Sequence, residues 1–182
     1  MIALGDVAAL LLRVIIFAVM FFHGTQKLFG WWGGRGLDGA EAFFTSLGFR
    51  PPRLVALVAS TTETIASVLL LLGLVTPLAV AMLIGVFTNI AAIHVRNGLE
   101  SKKHGFELEL VMFGSVAAVG LLGPGLVSLD SLLGLSALFS APGLWWVGPV
   151  AIGLGLVGGV GISLTRSGER SGPGLPASAQ QR

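Results

Sequence analysis

Val7–Phe22 reads VAALLLRVIIFAVMFF, sixteen residues of which fifteen are apolar, with Arg13 as the one interruption. The pattern runs on through His23-Gly-Thr-Gln-Lys27-Leu to Phe29. A hydrocarbon core of about 30 Å takes about 20 mostly apolar helical residues to cross, and Val7–Phe29 has that length. It lacks a basic leading region and an A-x-A-like site, so it reads as a membrane span rather than a cleaved signal.

Four more stretches follow the same rule. Leu54–Leu74 carries Glu63 inside a polar STTET patch, and Leu78–Val95 carries Asn89 within it and His94 near its end. Phe106–Leu122 has Glu107 and Glu109 in its first turn, and Leu144–Leu164 is uncharged throughout. The whole chain agrees: of 182 residues, 54% are hydrophobic, a further 27 are glycine, and only 11% are charged. Soluble domains carry about 25% charged residues. That composition excludes a soluble enzyme, a disordered chain and a nucleic-acid module. Cysteine is absent, which excludes disulfides, zinc–thiolate sites, iron–sulfur clusters and thiol redox relays on this chain.

With five spans, every basic residue except Arg13 falls on one side. Lys27, Arg35, Arg50 and Arg53 lie between the first two spans, Arg96, Lys102 and Lys103 between the third and fourth, and Arg166, Arg170 and Arg182 after the fifth. The positive-inside rule makes that side cytoplasmic, with the N-terminus outside and the tail inside. Trp31 and Trp32 suit one water–lipid boundary, and Trp145 and Trp146 the other. Asp38-Gly-Ala-Glu41 has the form of a capping box, opening a short interfacial helix that Gly48 and Pro51-Pro52 end. His104 sits in a basic loop facing water, and from Ser167 the tail reads as disordered. Glycines in Gly153–Gly161 permit close helix packing.

Ionisable groups inside lipid are costly unless paired or hydrated. Arg13 lies about six residues inside the outer end, roughly 9 Å deep at about 1.5 Å per residue. Glu63 lies near the midplane of an antiparallel neighbour, so an Arg13–Glu63 pair is expected, with Ser60 and Ser67 on the same face of the second span as further partners. A purely structural pair, or an outward-snorkelling Arg13, is the alternative. Nearer the cytoplasmic side, His23 and Lys27 close span one, His94 and Asn97 close span three, and Glu107 and Glu109 open span four. Such a set can hydrogen-bond and exchange protons with a carbonyl-bearing, lipid-soluble ligand. It can equally anchor helix ends at the interface. Haem ligation by His23 and His94 lacks any supporting motif, and a metal site from His94 and Glu107 lacks enough ligands.

Taken in order, Leu-Leu-Arg13, His23-Gly-Thr-Gln-Lys27-Leu, Glu63 before LLLLGLVTP, His94 with Asn97-Gly98, Gly105-Phe-Glu107, LLGPG and Leu-Asp130 resemble the DoxX family over about residues 7–131. The resemblance implies an all-α integral membrane protein: a four-helix transmembrane bundle of DoxX type, here with a fifth C-terminal hydrophobic helix. The implied layout is a DoxX-like domain over 1–131, an outer connection and added helix over 132–165, and a polar cytoplasmic tail over 166–182. The site residues it implies are Arg13, His23, Gly24, Lys27, Glu63, His94, Asn97 and Glu107.

The family is similar to the membrane subunit of thiosulfate:quinone oxidoreductases. That implies a multi-pass protein of the bacterial inner membrane, tied to a redox or detoxification complex, with quinone as ligand and no cofactor held by the chain itself. A redox-enzyme subunit, the lipid bilayer and a second copy are the implied partners; nucleic acid is not among them. A non-catalytic anchor for a partner enzyme is the alternative function. A small-solute permease ranks below both, because no span has a central proline break.

Overall fold

A computed structural model describes residues 2–103, 105–136, 146–164 and 166 of the chain. His104, Trp145 and the tail from Ser167 lie outside the described residues. The described residues are dominated by α-helices: α1 (Leu4–Phe29), α2 (Gly36–Ser46), α3 (Pro52–Leu72), α4 (Thr76–His94), α5 (Glu107–Leu122), the single turn α6 (Leu129–Leu132) and α7 (Val147–Leu164). Short 3₁₀ turns occupy Trp31–Gly33, Val95–Asn97 and Ser101–Lys103.

α1, α3, α4 with its 3₁₀ extension, and α7 are each long and apolar enough to cross a membrane. α5 has the same character but only 16 residues, about 24 Å at about 1.5 Å per residue. It joins the bundle as the short member. The architecture is an all-α membrane bundle in which α7 is the additional C-terminal helix. α1 lies along α3, while α4 is the hub, contacting α3, α5 and α7. One core runs through the five long helices, built from residues such as Ile16, Leu70, Leu83, Ile84, Val116 and Ala151. The opposite faces carry exposed Leu11, Ile15, Leu57, Leu78, Leu121 and Val157, the apolar exterior that acyl chains cover.

α4 and α7 meet closely because α7 presents glycine. A Cβ at Gly155 would stand 2.5 Å from the Ala81 carbonyl oxygen, and one at Gly159 2.5 Å from that of Gly85. Close backbone approach substitutes for the hydrophobic driving force that lipid does not supply.

The capping box expected at Asp38 and Glu41 is not formed. α2 starts earlier, at Gly36, with Arg35 preceding it, so both acids lie inside the helix. They accept instead from Arg53 Nη1, at 3.2 Å and 2.7 Å, which ties α2 to the first turn of α3. α2 lays Ala40 and Phe44 inward, against Phe49 and Ala56. Arg166, beyond α7, donates to the Leu47 carbonyl at 3.1 Å and stacks over the Phe49 ring. The basic end of the bundle is thereby drawn together.

Candidate functional site

Arg13 is 2% exposed and does not meet Glu63. Its Nε donates to the Leu70 carbonyl at 2.7 Å, Nη2 to that of Leu71, and Nη1 to those of Pro124 and Val127 at 2.7 Å and 2.8 Å. The cause is geometric. In the antiparallel register, Arg13 faces α3 seven to eight residues beyond Glu63, about 11 Å further along the axis. The last carbonyls of a helix lack intrahelical partners and form the negative end of its dipole. A buried guanidinium satisfies them through charge-assisted bonds. Arg13 therefore caps α3 and holds the α5–α6 connection.

The same end has a counterpart of opposite sign. Buried Asp130 accepts from the Val75 and Thr76 amides at 2.8 Å and 2.9 Å and from Thr76 Oγ1 at 2.7 Å, capping the start of α4. Its own amide donates to Gly73 O at 2.8 Å. The α3–α4 turn is thus gripped by a cation on the carbonyl end and an anion on the amide end. Val75 sits at φ 46°, ψ 47°, a left-handed conformation disfavoured for a β-branched residue; the Asp130 hydrogen bond holds it there.

Glu63 pairs with Lys27: Nζ donates to Oε1 at 2.6 Å and to Oε2 at 2.8 Å. Ser60 and Ser67, expected to support the charge pair, bond to carbonyls of their own helix instead, at Ala56 and Thr64. Gly24 lets α1 and α3 cross, since a Cβ there would collide with Thr64.

Lys27 and Glu63 open onto a cavity of about 820 Å³. Along α1 its lining passes from Val19 and Met20 to His23 and Lys27; along α4 it passes from Met82, Gly85 and Val86 to Asn89 and His94. α3 contributes Thr62 and Glu63, α5 contributes Glu109 and Met112, and α7 contributes Leu154 and Gly155. Phe43, Leu54, Val58 and Leu108 also line it and are themselves exposed, so the space opens to the lipid-facing exterior. Apolar walls of this volume with a few convergent polar groups are the usual form of a small-molecule site.

Four of the sequence-derived candidates, His23, Lys27, Glu63 and His94, meet at this cavity. Arg13 lies at the other end of the bundle, and Gly24 is in the α1–α3 seam. Asn97 is in the exposed 3₁₀ turn after α4, and Glu107 is exposed at the start of α5. Glu109 takes the inward position: its Oε1 lies 3.0 Å from His94 Nδ1. The sequence carried that signal, because Glu109 shares a helical face with buried Met112, Val116 and Val119, whereas residues two apart point in nearly opposite directions. Asn89, which donates to Ser163 Oγ at 3.1 Å, and Arg50 are further polar residues in the lining. Asn89 was marked by its place inside an apolar span, whereas Arg50 reads as one more basic residue of the loop before α3.

Neither a curated protein nor a solved structure matches the chain. A family model described as DoxX matches residues 8–97. That segment runs from the first turns of α1 through the 3₁₀ turn after α4; α5, α6 and α7 lie beyond it. With four helices of membrane-crossing length around this segment, the protein is a multi-pass membrane protein, and the chain belongs to the DoxX family.

Proposed function

We propose that this protein is the membrane subunit of a redox-linked assembly and that its cavity binds a lipid-soluble ligand of the quinone class. The observation that carries this reading is the 820 Å³ cavity itself. Apolar walls open to lipid on one side, and two cross-helix acid–base pairs, Lys27–Glu63 and His94–Glu109, stand in the lining. An isoprenoid-tailed head group fits that division: the tail against Val19, Met82 and Val86, the head among the charged groups. When bound, a quinone supplies two-electron, two-proton chemistry. The residues present supply the rest. Lys27 offers an N–H donor toward a carbonyl, and His94 and Glu109 can hold or release a proton beside it. With no cysteine on the chain, the electrons come from a partner subunit. We place the protein in the bacterial inner membrane, with the end bearing Lys27, Arg53 and Lys102 toward the cytoplasm.

The test is equilibrium binding of short-tailed ubiquinone and menaquinone analogues to the protein purified in nanodiscs, alone and with any co-purifying partner. Wild type binds, and His94→Ala and Glu63→Gln weaken binding tenfold or more. A well-folded wild type that binds neither analogue in either preparation refutes the proposal.

A further inference from the structure

The carboxylates in the bundle are not equally satisfied. Both oxygens of Glu63 accept from Lys27, and both oxygens of Asp130 accept from the start of α4. Glu109 is the exception. Its side chain is 12% exposed, its Oε1 is engaged by His94 Nδ1 at 3.0 Å, and its Oε2 is buried with no hydrogen-bond partner among the described residues. Native proteins leave few buried polar atoms unmet, and each such atom asks for a missing partner.

The chemistry of that partner follows from the surroundings. Glu109 occupies the first turn of α5. An ionised carboxylate only accepts, so His94 Nδ1 carries the hydrogen of the existing bond. The open oxygen needs a donor as well. His94, Glu109 and Met112 all line the cavity, so the missing donor belongs to whatever the cavity holds.

We infer that the cavity recognises a hydroxyl-bearing ligand, a phenol or hydroquinone head on an apolar tail, through an O–H donated to Glu109 Oε2. This rests on the reading of the cavity as a ligand site, and it specifies the reduced member of the quinone class as the form held. A carbonyl-only head leaves Glu109 unmet. His94 acts as a positioning residue, fixing the carboxylate so that its second oxygen remains available.

The probes are a geranyl-tailed phenol and its O-methyl ether, two molecules of nearly the same shape that differ by one donor. Dissociation constants are measured on the full-length protein in nanodiscs. A hydrogen bond to a charged acceptor makes wild type prefer the phenol by about tenfold or more. In Glu109→Gln the amide both donates and accepts, and the preference falls to about twofold or less. Glu107→Gln, outside the cavity lining, retains it. Equal affinities in wild type, as expected if water satisfies Oε2, overturn the inference while leaving the ligand site standing. A preference that survives Glu109→Gln overturns it too. If neither probe, nor either quinone analogue, binds wild type, the ligand site itself falls.

Discussion

Replacing Lys27 with methionine leaves Glu63 as an unpaired carboxylate in the bundle interior. The Glu63 side chain is 2% exposed and that of Lys27 is 32%, so water reaches the pair from the lysine side only. Removing one partner of a fully buried pair costs about 3–5 kcal/mol, and partial access of water brings the expectation to about 2–4 kcal/mol. Lys27→Met combined with Glu63→Gln removes both charges and restores much of that loss. The two sites are therefore coupled by at least about 1.5 kcal/mol in a double-mutant cycle. Arg13 provides the contrast, because its four acceptors are backbone carbonyls, and the two on α3, Leu70 and Leu71, lie about 11 Å along that helix from Glu63. Arg13→Met with Glu63→Gln is additive within about 0.5 kcal/mol. Equilibrium unfolding of the detergent-solubilised protein by SDS titration measures all five variants and wild type. Coupling between Arg13 and Glu63, with none between Lys27 and Glu63, refutes the assigned helix register.

Four further outcomes follow from particular contacts. Arg13→Met destabilises the protein by about 3–5 kcal/mol in the same titration, and Arg13→Lys recovers little, because an ammonium cannot reproduce the fork that spans α3 and the α5–α6 connection. Val75→Gly stabilises the turn by about 0.5–1 kcal/mol by relieving the left-handed valine; a loss of stability instead means that the valine's packing outweighs its strain. Gly155→Leu separates α7 from α4 and lowers the thermal midpoint sharply, whereas Gly153→Ala and Gly161→Ala, which have open space where a Cβ would lie, leave it nearly unchanged. The chain has no cysteine, so single replacements report topology cleanly. Lys102→Cys is labelled by an impermeant maleimide only after the cytoplasmic side is opened, and Leu126→Cys is labelled from outside in intact cells; the reverse pattern defeats the assigned orientation.

Sequence by itself determined the solvent, the elements and the family. Long apolar runs broken by single charges have one stable form in lipid, because the backbone must satisfy itself; the observed helices accordingly lie close to Leu54–Leu74, Leu78–Val95 and Phe106–Leu122. It also marked the few groups whose burial had to be compensated, Arg13, Lys27, Glu63 and His94 among them. It could not choose partners among them, since opposite charges on antiparallel helices attract at any register. The register was decided by the Gly24 crossing and by the appetite of the α3 carbonyl terminus for a cation, which claimed Arg13 and left Glu63 to Lys27. The choice between Glu107 and Glu109 was likewise tertiary: α5 turns one face to α4, and only the glutamate on that face reaches His94 and the cavity. Local chemistry names the candidates, and packing, which acts over several helices at once, selects the pairs.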